Sequence, residues 1–198
     1  MEKKKLICVE CPVGCEIEVT LDGKEIKDIK GNACPRGKRY AENELTKQAE
    51  VPLSDRTKGA IVYENRETLV DGIFACGNVL QVHDLVDFVS EESEIAGKAA
   101  ARYLLQGTKE KEPITVKNGG NISYVLPQRI DRNCEENVKL FFRVTGTFRD
   151  AKIVLKSGEK VLLERKKRIV VPGEMETLLL LPKQIKEFGE ELSVSLES

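Results

Sequence analysis

The chain has 198 residues and 40% hydrophobic content, enough for ordinary cores in one large domain or a few small ones. Lys plus Arg number 32 and Asp plus Glu 33, a formal charge of −1 that builds in no general attraction to nucleic acid or anionic lipid. Apolar runs such as residues 178–181 fall far short of the roughly 20 residues of a membrane span, so no transmembrane segment is expected. The basic start Met-Glu-Lys-Lys-Lys runs at once into cysteines and charges, unlike a secretory signal, and a cytoplasmic location is expected.

In chain order, the first signal is a cluster of cysteines. Cys8, Cys11, Cys15 and Cys34 have the spacing C-x2-C-x3-C-x18-C. In a reducing compartment, thiolate ligation of a metal or iron-sulfur cluster accounts for such clustering better than disulfides do. A zinc ribbon more often pairs two C-x2-C knuckles, whereas three close thiolates and one remote thiolate suit a 4Fe-4S cubane. Zinc remains the alternative, because about 45 residues make little core unaided. Pro12, Val13 and Gly14 form a tight loop, residues 16–20 and 25–30 alternate as strands, and Asp22-Gly23 is a hairpin signal that returns Cys34 toward the loop.

The segments from Cys8 to Cys15 and from Gly31 to Gly37, the latter reading Gly-Asn-Ala-Cys-Pro-Arg-Gly, resemble the amino-terminal iron-sulfur module of molybdopterin oxidoreductases. They are still more similar to small cysteine-rich proteins that accompany bacterial flavin oxidoreductases linked to glycerol 3-phosphate dehydrogenase. The likeness covers about residues 3–45. It implies cluster binding by the four matching cysteines.

Residues 51–107 change character: a loop, a strand at 60–63, a second strand at 72–76, a glycine turn at Gly77-Asn78, and a helix from near Asp84 to about Leu105. Leu85, Phe88, Val89, Ile95, Ala96, Ala99, Ala100, Tyr103 and Leu104 form its apolar stripe, with Glu91, Glu92, Glu94 and Lys98 mostly off it. Asp84 is the expected N-cap. On physics alone this is an ordinary α/β connection as readily as a ligand site. Cys76 reads as a packing cysteine and Cys134 sits in a polar loop.

The run from Thr68 to Asn78, with His83 to Asp87 after it, closely resembles the second FAD motif of pyridine nucleotide-disulfide oxidoreductase-like flavoproteins. It is nearest to the NAD(FAD)-dependent dehydrogenases of the group associated with glycerol 3-phosphate dehydrogenase. The resemblance implies FAD contacts from Gly77, Asn78, His83, Asp84, Leu85 and Val86, with the helix N-terminus favouring anionic reduced flavin. Asn78 stands where that family has Asp. His83, the single histidine, would tune the flavin or shuttle a proton, or else simply help cap the helix. The chain contains no G-x-G-x-x-G, so the FAD site would be completed by a partner chain.

After a charged linker at 108–113, the pattern is β: strands at 114–117, 121–126, 138–145, 151–156, 160–171, 175–181 and 192–196, with glycine turns between several of them. This spacing predicts an immunoglobulin-like sandwich. Arg165 to Arg168 is read as a solvated face or edge guard.

The expected fold class is therefore α+β and multi-domain: a cysteine-rich β-hairpin module (1–48), a partial α/β flavin-domain segment (49–107) and a β-sandwich (113–198). The expected function is an electron-transfer component or fragment of an FAD-dependent oxidoreductase, with a 4Fe-4S cluster and a shared FAD. Its partners would be a flavoprotein subunit carrying the missing dinucleotide half and a glycerol 3-phosphate dehydrogenase subunit, with no nucleic acid. The alternative is a zinc-stabilised, non-catalytic assembly subunit.

Overall fold

The computed structural model describes residues 2–23, 25–46 and 51–197. It is mixed α+β, mostly sheet, and divides into two compact units, Met1–Glu50 and Val51–Ser198. The boundary expected at 48–49 lies outside the described residues. Residues 51–107 and 113–198 fall within the same unit. No helix among the described residues is long and apolar enough to cross a membrane.

In the first unit, β1 (Glu2–Ile7), β2 (Glu16–Asp22) and β3 (Glu25–Lys30) form an antiparallel sheet in the order β1-β2-β3. The strict alternation of β2 turns Ile17, Val19 and Leu21 to one face. Helix α1 (Pro35–Thr46) covers that face with Ala41, while Tyr40 and Leu45 pack at its margin. Strand β1 and helix α1 were not read from the sequence. β1 is nearly all charge, and it holds its edge through Lys3–Glu18 and Lys5–Glu16 pairs across to β2 rather than through an apolar face.

In the second unit, residues 51–85 make no regular strand. The strands expected at 60–63 and 72–76 are isolated bridges only: Leu53 with Ala60, Val62 with Thr68, and Glu67 with Phe74. The chain doubles back too tightly for a ladder. Tyr63 N–H donates to the Glu67 carbonyl, Thr68 N–H to that of Ile73 and Ala75 N–H to that of Arg66, while the Glu67 carboxylate takes Gly72 N–H. A 3-10 turn at Gly77–Val79 follows.

Helix α2 (Val86–Gln106) starts two residues beyond Asp84. Its N-cap position is Leu85, which supplies no side-chain cap, so Asp84 is not the N-cap. The Asp84 carboxylate is drawn away by Arg143 and by Met175 N–H (2.6 Å). The buried face of α2 is Glu92, Ala96 and Ala99, whereas Leu85 and Leu104 of the expected stripe are 57% and 84% exposed. Glu92, expected off the stripe, faces inward because a buried arginine meets it there.

Strands β4 (Pro113–Asn118), β5 (Ile122–Leu126), β6 (Arg129–Asp131), β7 (Val138–Val144), β8 (Phe148–Ser157), β9 (Lys160–Val170), β10 (Glu176–Leu180) and β11 (Glu191–Glu197) build two sheets, β6-β4-β11-β8-β9 and β10-β7-β5. Short β6 and a one-turn helix α3 (Pro182–Ile185) join the seven expected strands. β4 and β11 run parallel, and the consecutive strands β10 and β11 lie in different sheets. Ile114, Leu140, Phe142, Ile153, Leu155, Leu178, Leu192 and Val194 contribute to one core drawn from both sheets. Arg143 ties the approach to α2 onto this core: it donates to the Val82 and Pro172 carbonyls (both 3.0 Å), to the Tyr124 hydroxyl (3.0 Å) and to Asp84.

Candidate functional site

The four cysteines share one end of the small sheet. Ile7 pairs with Glu16, so residues 8–15 form the β1-β2 connection, closed by Cys8 N–H donating to the Cys15 carbonyl at 2.8 Å. Within it Gly14 N–H turns back to the Cys11 carbonyl (3.4 Å). Lys30 pairs with Glu18, so β3 ends at that same edge of the sheet. Gly31, at φ +88°, lies against the Glu16 backbone so closely that a Cβ there would sit 2.2 Å from the Glu16 carbonyl oxygen. This contact holds the strand that leads to Cys34 beside the loop.

Cys34 occupies the N-cap of α1. Its carbonyl accepts Lys38 N–H (3.4 Å) and the Asn32 side-chain amide (3.3 Å). Backbone N–H groups of Gly37 and Arg36 at the helix start lower its thiol pKa below the ordinary value, helped by the Arg36 side chain. Cys8 is buried in the small core with Ile17, and Cys15 packs at its margin. All six cysteines are free. Among the described residues, no group of three or more His, Cys, Asp or Glu side chains is arranged to hold a metal ion. For a thiolate-bound group, the features that fit are four free thiols at one sheet end, an apolar flank under Cys8, and amides facing Cys34.

The predicted flavin contacts divide into two sets. Gly77, at φ +72°, is buried, and its N–H donates to Glu92 Oε2 at 2.7 Å. The His83 side chain is only 1% exposed and its Nε2 lies 3.0 Å from the same oxygen. Among the described residues, His83 Nδ1 is buried without a partner, as are both amide atoms of Gln81. Asn78, Leu85 and Val86 face outward instead. The Asn78 side-chain oxygen accepts His83 N–H at 3.4 Å.

Glu92 is thus the centre of a buried cluster that sequence reading missed. Its Oε1 takes Arg66 Nε at 2.9 Å, with both side chains shut off from water. Arg66 also donates to the Glu64 carbonyl (3.0 Å), lies 5.8 Å from the centre of the Phe141 ring and adopts a left-handed φ of +68°. Desolvation pulls the Arg66 pKa down, and Glu92 opposes this. The available signal was the position of Glu92, four residues before Ala96 and seven before Ala99 on the inward stripe.

Beside this cluster, burial pushes the Glu64 carboxyl up to about 7 while its Oε2 accepts Asp131 N–H (2.8 Å). Burial likewise raises the Cys134 thiol to about 12, reinforced by Glu64 and Asp131, so this cysteine is a packed thiol of the core of the second unit. No protein-family description, curated protein or solved structure matches the chain.

Proposed function

We propose that this chain is an electron-transfer component of an FAD-dependent oxidoreductase, in which Cys8, Cys11, Cys15 and Cys34 hold a 4Fe-4S cluster that exchanges electrons with a flavin completed by a partner chain. The observation that carries the reading is the convergence of the β1-β2 loop and the Cys34 helix start on one sheet end, with amides lowering the Cys34 thiol. When bound, such a cluster supplies one-electron chemistry to a flavin that accepts one or two electrons. The helix-start amides favour the thiolate form of Cys34, the form that ligates metal, and apolar packing lies under Cys8.

The flavin part rests on the sequence resemblance, on outward-facing Asn78, Leu85 and Val86, and on the start of α2, which has no side-chain cap. Val79, Val82, Leu85 and Val86 expose apolar surface around that point, which suits a partner subunit of a glycerol 3-phosphate dehydrogenase or similar complex. The carboxy-terminal two-sheet region, immunoglobulin-like in this reading, serves assembly, and the complex works in the cytoplasm. The second reading is zinc on the same thiolates in a non-catalytic assembly subunit, favoured by the slender core of the first unit.

Anaerobic co-purification tests the flavin part. The complex is expected to contain FAD, and Asn78→Leu to lower its flavin content while leaving the cluster spectrum intact. Unchanged flavin in Asn78→Leu, or no flavin in any complex, contradicts a role for this segment in flavin binding.

A further inference from the structure

A groove of about 450 Å³ runs between the second half of α2 and residues 131–139 of the second unit, a size typical of small-molecule sites. Two ion pairs, Arg102–Glu136 and Lys139–Glu91, hold the helix to the facing segment. Beneath them the helix presents Ile95, Ala99 and Tyr103, whose mixture of small and apolar groups leaves room for an organic body. The charges on the floor are mostly matched. Arg66 is neutralised by Glu92 (2.9 Å) and Glu67 by Lys111 (2.9 Å). Glu64 and Asp131 line the groove without an ion-pair partner among the described residues; Asp131 Oδ1 is taken up by Glu112 N–H and Asn133 N–H (both 3.1 Å), whereas Glu64 is fixed only through Oε2 by Asp131 N–H.

We propose that this groove binds a small organic cation, a primary ammonium on an aliphatic or aromatic body, with the ammonium paired to the Glu64 carboxylate. A withdrawn carboxylate without a counter-charge is costly, and an incoming ammonium removes that cost. The walls reward an apolar body and the floor selects its charge. Around Glu64, the Asp131 N–H and Arg66 favour its ionisation while the Asp131 carboxylate disfavours it; Tyr63 and Cys134 lie within its field. Because burial places the carboxyl at about 7, the binding form is a minority at pH 6 and the majority at pH 8. Affinity for an ammonium therefore rises about tenfold between them, and binding near neutrality expels a proton.

The test uses the full chain and two probes of equal shape, benzylamine and benzyl alcohol, titrated by NMR at pH 6 and pH 8. Benzylamine is expected to bind about tenfold more tightly at pH 8 than at pH 6, and at least tenfold more tightly than benzyl alcohol at pH 8. Glu64→Gln, which keeps an acceptor for Asp131 N–H, should erase both differences. Absence of benzylamine binding, equal binding of the two probes, or unchanged benzylamine affinity in Glu64→Gln overturns the proposal. If that variant fails to fold, the wild-type pH series decides alone, and a flat profile overturns it.

Discussion

Glu92 joins Arg66, Gly77 and His83 at one buried point, so its removal leaves a guanidinium without its counter-charge in the interior. Glu92→Ala should lower unfolding free energy by about 3–5 kcal/mol in urea titration, the scale for breaking a buried pair. The double change Arg66→Met with Glu92→Leu should recover only part of that loss, because no buried charge then remains unmatched but Gly77 N–H and His83 Nε2 still lack their acceptor. Glu64 carries a pH signature of opposite sense to an ordinary ion-paired carboxylate. Its folded pKa of about 7 lies above its ordinary 4.5, so the folded state binds the extra proton. Stability should fall as pH rises from about 4.5 to 7, by up to about 3 kcal/mol, and Glu64→Gln should flatten that slope in pH-dependent denaturation. Thiol reactivity separates two cysteines in metal-free protein. Cys34, lowered by helix-start amides, should be alkylated by iodoacetamide at pH 7.5 well ahead of Cys134, which is buried and raised to about 12.

Helix α2 shows where sequence patterns inform and where they mislead. Its length and apolar spacing were readable, and its end near Leu105 matches Gln106 within a residue. The inward face was not, because a glutamate on a helix reads as solvent-facing unless a distant arginine is known to meet it. Asp84 was misread for the same reason: an acid just before a helix has the cap signature, yet Arg143 and Met175, both far along the chain, claim its oxygens. Asp84→Ala should therefore leave α2 helicity nearly unchanged and speed amide hydrogen exchange at Met175. Loss of the first turn of α2 without change at Met175 would restore the capping role. Residues 72–76 have strand composition, but Gly72 and the inserted Glu67 carboxylate spend their hydrogen bonds in turns. Seven of the eight strands of the two carboxy-terminal sheets, in contrast, were legible to within three residues at each end, since a period of two bounded by glycine turns depends on local pattern alone. Strand order was not, because pairing such as β4 with β11 joins distant segments.

At the scale of the whole molecule, the two compact units meet in sequence at Glu50 and Val51. The second unit has an extensive two-sheet core, whereas the buried core of the first, among the described residues, is Cys8, Ile17, Val19, Leu21 and Ala41 with a partly buried margin. A cross-link through four thiolates would add to the first unit what its core lacks. Fe-S or metal removal should thus lower the melting temperature of the first unit and leave that of the second unchanged, resolved as separate calorimetric transitions. The identity of the bound group bears on everything else, so the most direct measurement is iron, acid-labile sulfide and zinc per chain in protein purified without oxygen. A 4Fe-4S cluster on these thiolates predicts about four iron and four sulfide per chain, lost together in Cys15→Ala. A colourless protein with one zinc and no sulfide, or one with no bound metal at all, would contradict it.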